Sequence, residues 1–319
     1  MSGQFNESEY LAMNPDVAAA IDNGQFSNAF EHYEMYGKKE KRMPHWFGGM
    51  TRIDKALYAL DKKGAGLEVG PSHNPIAPKR KGFNVHILDH VGTEELRAKY
   101  QGHGVNLDNI EDVDFVWSGQ PLPELIGQMG CYDWIVASHV IEHMPDLISF
   151  LQQCEALLKT DGILSLVIPD KRYCFDYFSP FSTTGNVLDA WAEKRVRPSA
   201  GQVYDHIANA AKRLGNIAWG PDDNGGADAL VHTLDEAKAH WMRASSTSDY
   251  IDVHCWRFTP TSFRLILSDL QSLNLINLHI KTEFDTSGCE FFVSLGRKAE
   301  NDLQQDRLST LQNRKIEEE

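Results

Sequence analysis

The strongest constraint on the fold is a strand–helix–strand unit written between Tyr132 and Pro169. Trp134 to Ala137 is a short apolar run, and Leu147, Phe150, Leu151, Cys154, Leu157 and Leu158 then recur at helical spacing. Asp161-Gly162 predicts the helix stop, and Ile163 to Ile168 predicts a second buried strand. Two such strands joined through a helix lie parallel in one sheet, because only a crossover of that length returns the chain in the same direction. The unit commits the chain to α/β architecture with helices on both faces of the sheet.

The same alternation begins at Gly64. Strands are predicted at Gly66 to Val69, Val85 to Leu88 and Val113 to Trp117. Near the other end, Thr259-Pro260 opens a helix whose buried face is Phe263, Ile266, Leu267, Leu270 and Leu273. Ile276, Leu278, Ile280, Thr282 and Phe284 then alternate as a strand. Thr286-Ser287-Gly288 supplies a turn, and Glu290 to Leu295 returns antiparallel. A main domain over 46–298 is predicted, with an insertion at 171–252 that is too long for an ordinary βα connection. That insertion is read as a partly helical polar lid. Residues 1–45 read as a small helical unit, with Asn14-Pro15-Asp16 opening one helix, Asn23-Gly24 closing it and a second starting near Ser27. Phe26, Phe30, Tyr33 and Tyr36 are predicted to share its buried face. Residues 299–319 read as a polar helical tail striped by Leu303, Leu308 and Leu311. The tail ends uncapped, which predicts further domains beyond Glu319.

Bulk properties narrow the chemistry. With 42% apolar residues, the 319-residue chain has enough for a substantial core. A net charge of -14 opposes a nucleic-acid partner. No signal peptide and no apolar run of membrane-spanning length is found, so a cytoplasmic protein is expected. The five cysteines are scattered and include no CxxC pair, which predicts neither disulfides nor a cysteine zinc site.

In an open parallel sheet, ligands bind outside the carboxyl ends of the strands. Gly70 sits at the turn after the first strand, Glu68 is an acid at that strand's end, and Asp89 ends the second strand, where it can accept bonds from ribose hydroxyls. These positions describe a nucleoside site. The turn Gly70-Pro71-Ser72-His73-Asn74-Pro75 is not a pyrophosphate cradle, because Pro71 removes an amide donor and no second or third glycine follows. A cofactor without phosphates is favoured.

The segment Tyr132-Asp133-Trp134-Ile135-Val136-Ala137-Ser138-His139-Val140-Ile141-Glu142-His143 resembles the fourth-strand motif of small-molecule methyltransferases, as Leu157 to Pro169 resembles the next strand. Over 64–170 and 252–297 the chain is similar to class I S-adenosylmethionine-dependent methyltransferases. The resemblance implies a Rossmann-like, mostly parallel seven-stranded sheet ending in an antiparallel hairpin, with S-adenosylmethionine as cofactor. It implies cofactor contacts from Glu68, Gly70, Pro71, Ser72, Asp89, Ser138 and His139, the acid facing the ammonium and sulfonium charges. Two departures stand out. Ser72 and Asn74 replace motif glycines, and Trp117 and Ser118 stand where an adenine-reading acid is common, so stacking from Trp117 and backbone contacts are expected instead. The N-terminal unit, YLxxNPDVAxA followed by HYxxYG, resembles a module of bacterial proteins linked to surface glycans.

Methyl transfer needs positioning, and a base when the acceptor is a hydroxyl. His139 and His143 follow the fourth strand at the reacting edge, and His254 is a further candidate base, oriented by Asp252. Arg172, Tyr173 and His206 are candidate acceptor-binding residues, and Trp191, Trp219, Trp241 and Tyr177 would suit a carbohydrate. The polar residues of the insertion match no metal-site spacing, so no metal is expected. The expected partner is a small-molecule or glycan acceptor, with a homo-oligomer also admitted. Two alternatives stay open: a carboxylate, amine or lipid-linked acceptor, or a non-catalytic module in a glycan-assembly protein.

Overall fold

A computed structural model of the protein describes residues 7, 10–11, 14–40, 50–223, 225–297 and 307–318. The chain divides into two compact units, Met1–Lys55 and Ala56–Glu319.

In the first unit, Pro15–Asp22 and Ala29–His32 are helical, and Asn28 caps the second helix by accepting from Glu31 N. Its core is Tyr10, Val17 and Ala29, with Tyr33 against them and the Tyr10 hydroxyl 3.0 Å from His32 Nδ1. Phe30 and Tyr36 are half exposed, contrary to the predicted aromatic face. The small Ala29 and Val17 fill the positions that face Tyr10.

The second unit is built on a sheet of β1 (Gly66–Val69), β2 (Val85–Asp89), β3 (Phe115–Val116), β4 (Tyr132–Ser138), β5 (Leu158–Pro169), β8 (Leu278–Ser287) and β9 (Glu290–Arg297). Strands β6 (Ala211–Lys212) and β7 (Ala229–Leu230) form a separate small ribbon. The strand order is β3-β2-β1-β4-β5-β9-β8, with β9 antiparallel to both neighbours. This is the expected Rossmann-like arrangement.

Central β1 is buried along its whole length, as a strand covered on both faces must be. Gly66 pairs with Val85 on one side and Trp134 on the other, and a Cβ there would run into the Trp134 indole. Helix Leu147–Leu157 is capped by Asp146, which accepts from Ser149 N at 2.9 Å, and turns Leu147, Phe150, Leu151 and Cys154 into the core. The helix stops before Asp161-Gly162. Leu158 already pairs with Tyr132 as the first residue of β5, and the irregular register between Tyr132 and Trp134 absorbs the extra polar residues.

Helix Pro260–Ser272 has Thr259 as N-cap and buries Phe263, Ile266, Leu267 and Leu270, each contributing about 1.5–3 kcal/mol by burial. Leu273 lies past the helix end and is exposed. Helix Arg307–Glu318 docks on it, with Thr259 and Thr261 hydroxyls donating to Glu317 and Arg307 bonded to Asp269. Of the predicted tail stripe, Leu308 is exposed, Leu311 is half-buried and Leu303 lies outside the described residues. Between β5 and Thr259, helices Thr184–Ala192, Ala200–Asn209 and Leu234–Ser246 form the insertion. Among the described residues no helix is long and apolar enough to cross a membrane.

Candidate active site

Strand order fixes the layout of the carboxyl edge. Trp117, Asp89, Gly70 and His139 follow one another across β3, β2, β1 and β4, and all four line one cavity of about 1130 Å³. Gly70 has φ +63°, and a Cβ there would meet Val140 Cγ2 at 3.0 Å. Ser72 follows at φ +50° and donates its N–H to Asp89 Oδ2 at 2.9 Å. The turn therefore holds a left-handed conformation at a serine where glycine is cheaper, and a side-chain bond compensates.

Glu68 does not line the cavity. One carboxylate oxygen accepts from Ile76 N at 2.5 Å and the other from Ala77 N at 3.0 Å, so the acid ties down the loop after Gly70. The carboxylate expected to face the cofactor's positive charges is bonded to the amides that the loop folds over the strand end. Pro71 is buried and Ser138 half-buried, and neither lines the cavity, whereas Ser118 does.

Asp89 is buried and accepts three bonds, from Ser72 N, His90 N at 2.8 Å and His90 Nδ1 at 2.6 Å. A carboxylate offers about four acceptor positions, so one remains for a ligand hydroxyl. The Trp117 indole is fixed by its N–H bond to Gln120 O at 2.7 Å and lies 6.2 Å from the Phe150 ring, an aromatic wall with Val69 and Leu88 nearby.

Along the edge toward β5, His139 lines the cavity at φ +54° and its Nε2 lies 2.7 Å from Glu290 Oε2, at the start of β9. His143 and Asp252 both line it, joined by a 2.8 Å bond between Nδ1 and Oδ1. Burial lowers the His143 pKa, but the Asp252 bond and the charges of Glu142, Asp252 and Asp176 outweigh it and the net shift is upward. The same bond lowers Asp252. Tyr250, at the cavity wall, donates its hydroxyl to His143 O at 2.9 Å. Trp191, Lys194 and Arg195 bring the insertion onto the same cavity.

His254 departs from its expected role. It is buried, does not line the cavity, and bonds through Nδ1 to Asp176 at 2.5 Å, while Asp252 serves His143 instead. Burial pushes Asp176 up, yet His254 and Arg257 more than offset this and hold it at about 2. His206, expected at the acceptor, instead accepts the His254 backbone N–H, and burial with the nearby His254 charge pushes it down to about 3. Arg172 is occupied by Asp170 at 2.7 Å, and neither it nor Tyr173 lines the cavity. Asp176, Glu290, Glu142 and Tyr250 were missed in the sequence. Only Glu142 carried a signal, lying between two histidines already singled out.

Among the comparisons with known proteins, the family described as a methyltransferase domain matches residues 49–271. No curated protein matches. Solved structures similar to this chain include an S-adenosylmethionine-dependent methyltransferase from Mesorhizobium loti, at 11% identity and TM-score 0.41, covering 78% of this chain and 99% of that one. The CcbJ methyltransferase from Streptomyces caelestis has 14% identity and TM-score 0.37, with coverage of 79% and 99%. A Rhodobacter sphaeroides protein provisionally named for zinc-dependent alcohol dehydrogenases has 13% identity and TM-score 0.42, with coverage of 77% and 89%. With the family match spanning most of the chain, the chain belongs to the methyltransferase-domain family.

Proposed function

We propose that this enzyme methylates a hydroxyl of a small or glycan-type acceptor. The supporting observation is one continuous cavity, with Asp89 and Trp117 on its β2–β3 side and His139, His143–Asp252 and Tyr250 on its β4 side. S-adenosylmethionine supplies a methyl group made electrophilic by its sulfonium. Asp89 receives the ribose through its remaining acceptor position, the backbone around Gly70 and Ser72 takes the amino-acid portion, and Trp117 and Ser118 face the adenine. Glu68 positions that backbone. The acceptor hydroxyl docks beside His139 and His143, which are placed to take its proton, and Asp252 orients His143. Trp191 and Tyr250 offer flat faces for a sugar, in keeping with the glycan-linked module that residues 1–45 resemble.

Calorimetric titration with S-adenosylmethionine tests the cofactor half. Asp89→Ala is expected to bind about ten- to a hundredfold more weakly, the worth of a hydrogen bond to a charged group. Labelled-methyl transfer over an acceptor panel tests the other half: His143→Ala should keep cofactor binding and lose turnover. Full turnover in His143→Ala would remove it from the proton path.

A second reading, methylation of a carboxylate, draws support from Lys194 and Arg195 on the cavity wall. The product separates the two, because a methyl ester is cleaved by mild alkali and a methyl ether is not.

A further inference from the structure

Under the turn Ile141–His143, Glu142 is 0% exposed, and neither of its carboxylate oxygens has a hydrogen-bond donor. A buried carboxyl left this way either takes up a proton or is neutralised by a cation close by. Three imidazoles surround it, each held through one ring nitrogen by a different carboxylate: His143 Nδ1 by Asp252 at 2.8 Å, His254 Nδ1 by Asp176 at 2.5 Å and His139 Nε2 by Glu290 at 2.7 Å. The opposite nitrogens of His139 and His254 lie 3.7 and 4.0 Å from Glu142 Oε1, too far for hydrogen bonds. Glu142, His143 and His254 each place one ligand atom within 4.8 Å of the others, and the two rings stand 4.7 Å apart at 88°.

A carboxylate bonded to one imidazole nitrogen selects the tautomer and presents the other nitrogen as a lone pair. That pairing surrounds metal-bound histidines. Two ligands at about 2.0–2.2 Å from an ion, at a tetrahedral angle, stand about 3.4 Å apart. The observed spacing, 4.0 Å for His254 Nε2 to Glu142 Oε1 and at most 4.8 Å across the set, contracts by about 0.6–1.4 Å to reach this.

We propose that Glu142, His143 and His254 bind one divalent transition-metal ion. One carboxylate and two imidazoles favour zinc and its first-row neighbours over magnesium, which prefers oxygen ligands. His143 lines the cavity while Glu142 and His254 do not, so the ion's entry and its remaining coordination position are assigned to the His143 side. An acceptor hydroxyl bound there is polarised by the ion; with the ion in place His143 serves as a ligand instead of a base, and the proton goes to His139 alone. This role rests on the hydroxyl reading above; the binding of the ion does not. The expectation of no metal weighed only the spacing of the insertion's polar residues, whereas this set joins the β4 edge to the end of the insertion.

The test uses the full chain, stripped with a chelator and titrated calorimetrically with zinc, manganese and magnesium salts, with elemental analysis for stoichiometry and S-adenosylmethionine titrated in parallel. One zinc per chain is expected, with magnesium at least about tenfold weaker. Glu142→Gln should lose zinc and keep cofactor binding. Asp252→Asn, which alters a partner of a ligand rather than a ligand, should weaken zinc about ten- to a hundredfold and also serves if Glu142→Gln does not fold. Cofactor binding without stoichiometric zinc would overturn the site, with three protonatable imidazoles then neutralising Glu142, and would leave the methyltransferase reading standing. Unchanged zinc affinity in either variant, or magnesium bound as tightly as zinc, overturns the ligand set or the metal class.

Discussion

At the scale of single residues, the strongest lesson is where carboxylates point. Glu68 and Asp89 were both legible as acids at strand ends, because an acid inside an apolar strand run is conspicuous. Their targets were not legible. Glu68 spends both oxygens on Ile76 and Ala77 amides, while Asp89 keeps one acceptor position toward the cavity. Glu68→Gln can satisfy one of those amides and opposes the other with its own N–H₂. It is expected to destabilise the fold by about 1.5–3 kcal/mol and to weaken cofactor binding through the loosened loop, measured by thermal unfolding and calorimetry. Unaltered melting would show that the clamp is idle. Asp252 and His254 teach the same point. Proximity in sequence pairs them, but the fold gives Asp252 to His143 and Asp176 to His254, and no local pattern announces Asp176.

At the scale of elements, the strands and helices with long periodic patterns are where the pattern places them, and errors gather where a short polar run interrupts one. Asp161-Gly162 reads as the helix stop, which leaves Lys159 and Thr160 in the helix; β5 instead begins at Leu158 and carries Lys159 to Asp161 as exposed positions at a register irregularity. Two glycines define the packing of β1. Gly66→Ala would push a methyl group into the Trp134 indole, with an expected cost of about 1–3 kcal/mol in unfolding experiments. Gly70→Ala adds left-handed strain of about 1–2 kcal/mol and a contact with Val140, and should cost cofactor affinity more than Gly66→Ala does. Equal losses of affinity would mean that both act only through stability.

At the scale of the whole molecule, the cavity lies within the second unit, closed by residues that sequence reasoning could place in an insertion but not on a wall. The last helix belongs to this unit too. Arg307 bonds Asp269, whose carboxyl is pushed up by burial but held below its ordinary value by Arg307 and Thr184. Such a group contributes stability that is complete above the unfolded carboxyl value of about 3.9 and is lost as pH falls through the lower folded value. The melting difference between the wild-type protein and Asp269→Asn should therefore be present at neutral pH and shrink below about pH 4. A pH-independent difference would assign the effect to Thr184 packing instead.

Because β9 runs against its neighbours, it begins where the parallel strands finish. Glu290, its first residue, faces Pro169 at the end of β5 and reaches His139. A parallel strand can offer the reacting edge only its final residues and the loop that follows; this reversed strand offers its opening one. The short hairpin turn at Gly288 and Cys289, which looks like a remote connection, therefore fixes the neighbour of a cavity-lining histidine. Lengthening that turn by a residue would swing Glu290 away from His139, so the hairpin's loop length sets whether the two side chains meet.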